Sequence, residues 1–144
     1  MTMNLNMQRF NVLMGKWKLS GRTYDSDKDN ISGSCTFSWL EDGQLQQVSE
    51  ITFEGQTMIA RELISYDGKT GTFPAEVYGE AGGKPLPYAM DIQGNAMTHS
   101  GAGGTYTGKI SEDGNTIDGS WKPDEGVATS QINNYSMVMT KVTS

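Results

Sequence analysis

Apolar and polar residues alternate with a period of two through three successive runs near the start of the chain. From Gly15 to Tyr24, Trp17, Leu19 and Gly21 share one face, and Lys16, Lys18, Ser20 and Arg22 share the other. From Ile31 to Leu40, Ile31, Gly33, Cys35, Phe37 and Trp39 oppose Ser32, Ser34, Thr36 and Ser38. From Gln44 to Phe53, Leu45, Gln47, Ser49, Ile51 and Phe53 alternate with Gln44, Gln46, Val48, Glu50 and Thr52. Successive strand residues point to opposite faces, so each run puts one face in a core and one in water, as antiparallel sheets do.

Asp-Gly pairs punctuate the pattern at Asp42-Gly43, Asp67-Gly68, Asp113-Gly114 and Asp118-Gly119. Glycine takes positive φ without a Cβ clash and Asp tolerates it, so these pairs favour tight turns. Glu54-Gly55 and Gln93-Gly94 are weaker turns of the same kind. Further strands read at about 57–66, 72–80, 85–93, 95–100, 104–111, 115–121 and 131–142. The total is about ten short strands. Leu5 to Met14 reads as the one helix, with Leu5, Phe10, Leu13 and Met14 on one side and Gly15 ending it. Sequential hairpins close on themselves without long crossovers, so the pattern predicts an all-β, up-and-down antiparallel barrel. No composition break divides it, and residues 1–144 read as a single domain.

Composition narrows the function. The net charge of −6 argues against nucleic acid and against an anionic membrane as partners. No apolar run approaches the roughly 18 residues of a helical membrane span. Residues Met1 to Phe10 carry Asn and Gln where a signal peptide needs an apolar block. One cysteine, Cys35, leaves no internal disulfide and no cluster for structural zinc. A cytoplasmic protein is expected, monomeric or homodimeric, with no resident cofactor.

Three segments together resemble a known group. Phe10, Leu13, Gly15 and Trp17 form an apolar lead into Gly-x-Trp, as at the opening of calycin barrels. Trp39-Leu40-Glu41-Asp42-Gly43 ends a strand before Gln47 to Phe53. Tyr66-Asp67-Gly68-Lys69-Thr70-Gly71-Thr72-Phe73 resembles the tyrosine-aspartate turn of a bacterial lipocalin-like family of unknown function. Lipocalins, fatty-acid-binding proteins and nitrobindins are its relatives within the calycin superfamily. The resemblance implies a calycin-type barrel with a small helix plugging one end and Trp17 packed beside it. Departures are plain. Residues 25–30 are too few for the two helices of fatty-acid-binding proteins, and the leader and disulfides of secreted lipocalins are missing. Nitrobindins bind haem through a histidine, and the only histidine here is His99.

A barrel of this size either fills its lumen or encloses one small ligand. Parity from Trp17 puts Trp17, Leu19, Phe37, Trp39, Ile51, Phe53, Phe73, Val77, Leu86, Tyr88, Met90, Ile92 and Met97 inside. From these, Trp17, Phe37, Trp39, Ile51, Phe53, Tyr88 and Met90 are candidate contacts to an apolar or aromatic ligand. His99 titrates near neutrality when unperturbed and is a candidate contact or base. Arg61 and Glu62 lie mid-strand among apolar residues, so one of them can face inward. An inward Arg61 would grip a ligand carboxylate, whereas the bland reading is a surface ion pair. Cys35 reads as a small buried hydrophobe. Gly79 to Pro87 reads as a glycine- and proline-rich lip over the lumen.

The expected function is therefore binding of a small apolar or aromatic molecule, as a carrier or sensor. The alternatives are a small-barrel isomerase, cyclase or hydratase using His99, Tyr88 or Glu62, and a nitrobindin-like haem protein.

Overall fold

A computed structural model describes residues 4–143. Ten strands form one closed antiparallel barrel: β1 (Gly15–Thr23), β2 (Ile31–Trp39), β3 (Leu45–Phe53), β4 (Gln56–Ile64) and β5 (Pro74–Gly79). The second half comprises β6 (Leu86–Gln93), β7 (Ala96–Gly101), β8 (Gly104–Ile110), β9 (Thr116–Pro123) and β10 (Tyr135–Lys141). Each strand pairs with its neighbours in sequence, and β1 pairs with β10 to close the ring. The up-and-down order follows from the short connections, and closure leaves no unpaired sheet edge.

Strand direction alternates, so the connections sort to two ends. Those at 40–44, 65–73, 94–95 and 111–115 lie at the end where β1 begins. Three of them repeat one device. The Oδ1 atoms of Asp42, Asp67 and Asp113 accept from the backbone N–H two residues on, at 2.9, 2.9 and 3.0 Å. Such Asx turns hold the bend with the aspartate side chain itself. Asp118-Gly119, by contrast, lies inside β9 and is no turn. Gly119 faces Gly108 across the β8–β9 ladder, and a Cβ there would strike the Thr107 carbonyl. That glycine serves close strand approach rather than positive φ.

The N-terminal helix (Leu5–Leu13) is a 3-10 helix, capped by Asn4, whose side chain accepts from the Asn6 N–H at 2.8 Å. Met7, Phe10 and Leu13 are its buried residues. Residues three apart eclipse in a 3-10 helix, so this spacing gives one straight apolar ridge. An α-helix would fan the same residues around its axis. Leu5, expected on the inner side, is instead exposed, and Met7 takes the inner position.

That ridge plugs the barrel. Trp17 Nε1 donates to the Leu13 carbonyl at 2.7 Å, and Phe10 meets Phe73 edge to face at 5.1 Å. Lys141 crosses the Trp17 ring at 4.9 Å and donates to the Val12 carbonyl at 3.1 Å. Arg9 pairs with Asp91 at 2.8 Å and lies over the Phe73 ring. Phe37, Leu45, Ile64 and Ile117 complete this half of the core, all fully buried.

Candidate functional site

The other half of the lumen is not filled. A cavity of about 180 Å³ lies there, walled by residues from strands around the ring. One wall is aromatic. Tyr88, His99, Tyr106, Trp121 and Tyr135 come from β6 to β10, always at the inward parity of their strands. The facing wall carries Ile51, Ala60 and Val77, with Gln47 and Ser49. Leu19, Met97, Met137 and Met139 also line it. A second cavity of about 150 Å³ at the open mouth is bordered by Phe53, Met58 and Ile132, and shares Ile51, Tyr135 and Met137 with the first.

The rings touch in sequence. The His99 imidazole lies between Tyr88 at 5.4 Å and Trp121 at 5.1 Å, and Trp121 stacks on Tyr135 at 6.0 Å. Two glycines make this possible. Gly101 pairs with Tyr88 across β6 and β7, and a Cβ at Gly101 would sit inside the Tyr88 ring. Gly108 gives the same room to Tyr106. The Tyr106 hydroxyl donates to the Met137 carbonyl at 3.1 Å.

Among the described residues, one carboxylate enters the lumen. Glu62 is buried, and its two carboxylate oxygens stand 2.8 and 3.0 Å from His99 Nε2. A carboxylate only accepts, so Nε2 carries the hydrogen and the imidazole orientation is fixed. No sealed side-chain nitrogen or oxygen among the described residues lacks a partner. His99 Nδ1, which has no protein partner among those residues, is therefore open to the cavity or to water.

Burial pushes the Tyr88 phenol above its ordinary range, and the nearby Glu62 charge adds to that. Burial does the same, more strongly, for Tyr106 and Tyr135. All three phenols therefore stay neutral and can donate at physiological pH. Burial raises the Cys35 thiol to about 11, partly offset by a hydrogen bond with Gln47. It is no nucleophile.

The candidate residues divide. Ile51, Tyr88 and His99 meet at the main cavity, and Phe53 borders the mouth. Trp17, Phe37 and Met90 do not line it; they are packed in the plugged half, where the helix ridge fills the lumen. Trp39 is held at that end too, donating from Nε1 to Asn11 Oδ1 at 3.1 Å. Arg61 is a correction. It faces outward and lies 5.4 Å over the Tyr78 ring, because strand alternation gives the inward position to Glu62. Leu86 has inward parity but sits at the rim, 54% exposed.

Tyr106, Trp121, Tyr135 and Met137 line the cavity beyond the candidates that parity from Trp17 supplies. Their signal existed: Ile117, Gly119 and Trp121 alternate in β9, as do Tyr135, Met137 and Met139 in β10. The Asp118-Gly119 pair, a turn signal by composition, lies within the first of these.

No family model matches the chain, and no curated protein matches it. Among solved structures it is similar to a de novo designed fluorescence-activating β-barrel. The two share 14% identity with a TM-score of 0.50, covering 92% of this chain and 95% of the designed one. That likeness is one of fold.

Proposed function

We propose that the open half of the barrel binds one small, neutral molecule of one or two rings, as a carrier or sensor. The observation that carries this reading is the unfilled cavity of about 180 Å³ with an aromatic wall and a single polar pair, Glu62–His99. Pockets for small molecules have this make-up: apolar lining and a few placed polar groups. An engineered cavity of roughly 150 Å³ takes up benzene, which sets the scale of the ligand.

Charge favours a neutral ligand. The loops at the open end carry Asp25, Asp27, Asp29, Glu54, Glu80, Asp124 and Glu125 against Lys28 and Lys84. An anion would meet that field first and buried Glu62 next. The likeness to a designed fluorescence-activating barrel is consistent with this reading. A calycin, lipocalin-like kinship is part of the same proposal, supported by the Gly15-x-Trp17 opening and the helix hydrogen-bonded to Trp17. The buried free thiol of Cys35 suits a reducing, cytoplasmic setting. The haem alternative has less support, because His99 Nε2 is turned onto Glu62 and the cavity is of benzene scale.

The test is a titration of the purified protein with a panel of neutral one- and two-ring compounds, followed by tryptophan fluorescence and native mass spectrometry. Saturable 1:1 binding with dissociation constants on the order of 10 μM is expected. It should be lost in Ile51→Trp, whose indole fills the cavity. Absence of saturable binding across the panel overturns the reading.

A further inference from the structure

We infer that His99, oriented by Glu62, is a general base for removing a proton from a bound neutral ring or carbonyl compound, an activity of the isomerase class. The inference rests on the small-molecule reading above and goes beyond it.

Its first ground is the geometry of the pair. Nε2 faces both oxygens of the Glu62 carboxylate at 2.8 and 3.0 Å, so its hydrogen stays there in either charge state of the ring. Only Nδ1 changes between lone pair and N–H; the hydrogen bonds of the ring to described residues run through Nε2, and Nδ1 is not sealed from solvent. A base held by an orienting carboxylate in the wall of a cavity, with its other nitrogen unengaged by the protein, is an arrangement suited to proton abstraction.

The second ground is cost. Placing a carboxylate and an imidazole in a lumen exposes them to a desolvation penalty that apolar residues of the same volume would avoid. The side chains are 7% and 14% exposed.

The third ground is the company the pair keeps. The Tyr88 ring lies 5.4 Å from the imidazole and lines the same cavity, and its phenol stays neutral at physiological pH and so can donate. Such a donor stabilises negative charge growing on a substrate oxygen. A C–H beside a carbonyl would give its proton to Nδ1, its electron pair would move into the enolate, and Tyr88 would hydrogen-bond the oxygen. Return of the proton to a conjugated carbon completes an isomerisation with no other reactant. The cavity volume limits the substrate to one or two rings, and the acidic rim selects against anions.

The probe is 5-nitrobenzisoxazole, a neutral bicyclic compound. A base takes its ring C–H proton, the N–O bond breaks, and the electron pair leaves on oxygen as the coloured 2-cyano-4-nitrophenolate. Wild-type protein should turn it over with saturation, at least about 100-fold faster than equimolar free imidazole. His99→Gln should lose that advantage while still binding the probe, read by equilibrium dialysis. Glu62→Gln should lower kcat about 10-fold with KM unchanged, and Glu62→Asp should restore part of it. Ile51→Trp leaves the pair in place but blocks the cavity, and should abolish turnover even if the His99 variant folds poorly. Binding without turnover above free imidazole overturns the base and leaves the binding reading standing. Turnover that survives in His99→Gln also overturns it. Failure of the probe and of the wider panel to bind overturns both readings.

Discussion

The two halves of the barrel use the same strands and nearly the same number of rings, yet they finish them differently. At the plugged end Trp17 and Phe10 each have a partner that completes the ring. Trp17 has a backbone acceptor and a lysine over its face, and Phe10 has Phe73. At the open end the rings partner one another in a row, His99 between Tyr88 and Trp121, and then face unfilled space. The difference lies in what enters the lumen. One end receives a ridge of Met7, Phe10 and Leu13; the other receives only loops, the longest spanning residues 124–134. Packing supplies the stability of the first, and the second keeps the unfilled space on which the proposed binding depends.

The contrast is broken most forcefully by truncating one tryptophan at each end. Trp17→Ala removes a fully buried indole from a packed site, and a loss of about 3–5 kcal/mol is expected in urea unfolding. Trp121→Ala removes a half-buried ring that already borders a cavity, so its stability loss should be clearly smaller. Its ligand affinity should fall at least about tenfold, because the stacked wall is gone. Equal stability losses, or a Trp17 variant that folds yet loses affinity selectively, would erase the distinction.

The plugged half was far more legible in sequence than the open half. Gly15-x-Trp17 and the apolar lead implied the plug through the resemblance they carry, and three Asp-Gly turns marked the ends of strands. Those signals are local: each is a side chain acting on backbone two to four residues away. The aromatic wall is not local. Tyr88 finds room only because Gly101 stands opposite it, a pairing that needs the β6–β7 register. Parity alone made Trp17, Phe37 and Met90 candidates for a ligand, since parity says which face is inward and not how far along the barrel the space is filled. The Arg61 and Glu62 choice had the opposite difficulty. Apolar neighbours on both faces, Met58 to Ala60 and Leu63 to Ile64, cancelled the alternation at that point.

Cys35 tests where the packed half ends. It pairs with Trp17 on one side and Ser49, a cavity residue, on the other. Burial raises its thiol from 9.0 to about 11. A raised folded value means the unfolded chain releases its proton first, so this contribution is complete below about pH 9 and is lost as pH rises through about 11. The loss should be on the order of 2 kcal/mol in urea unfolding, and Cys35→Ala should make the fall between about pH 9 and 10 shallower, the raised tyrosines keeping the fall above it. Rapid labelling of native protein by a thiol reagent at pH 8 would place Cys35 in the accessible half instead.

A smaller effect belongs to the clip holding the plug to β6. Arg9 and Asp91 are each about one-third exposed, so their ion pair is screened by water. Arg9→Ala should cost about 0.5–1 kcal/mol, including the loss of its packing over Phe73. Hydrogen exchange in Leu5–Leu13 should rise with it, while the open end keeps its affinity. A drop in affinity would mean that the plug shapes the cavity from below.

The smallest effect is expected at Arg61, next in sequence to the buried carboxylate and on the opposite face. Its guanidinium lies over Tyr78 on the outer wall, beside Val48 and Ile59 and away from both cavities. Arg61→Ala should change stability by less than about 0.5 kcal/mol, as an exposed cation–π contact would. Affinity for neutral ring compounds and turnover of the benzisoxazole probe should stay within twofold of wild type. Glu62→Ala, one residue on, should leave His99 Nε2 without its acceptor and disturb both. That pair of neighbours isolates the lumen from the outer wall within a single strand. If Arg61→Ala weakened binding as much as Glu62→Ala, ligand would be contacting the outside of the sheet, and the open half would lose its claim to be the binding end.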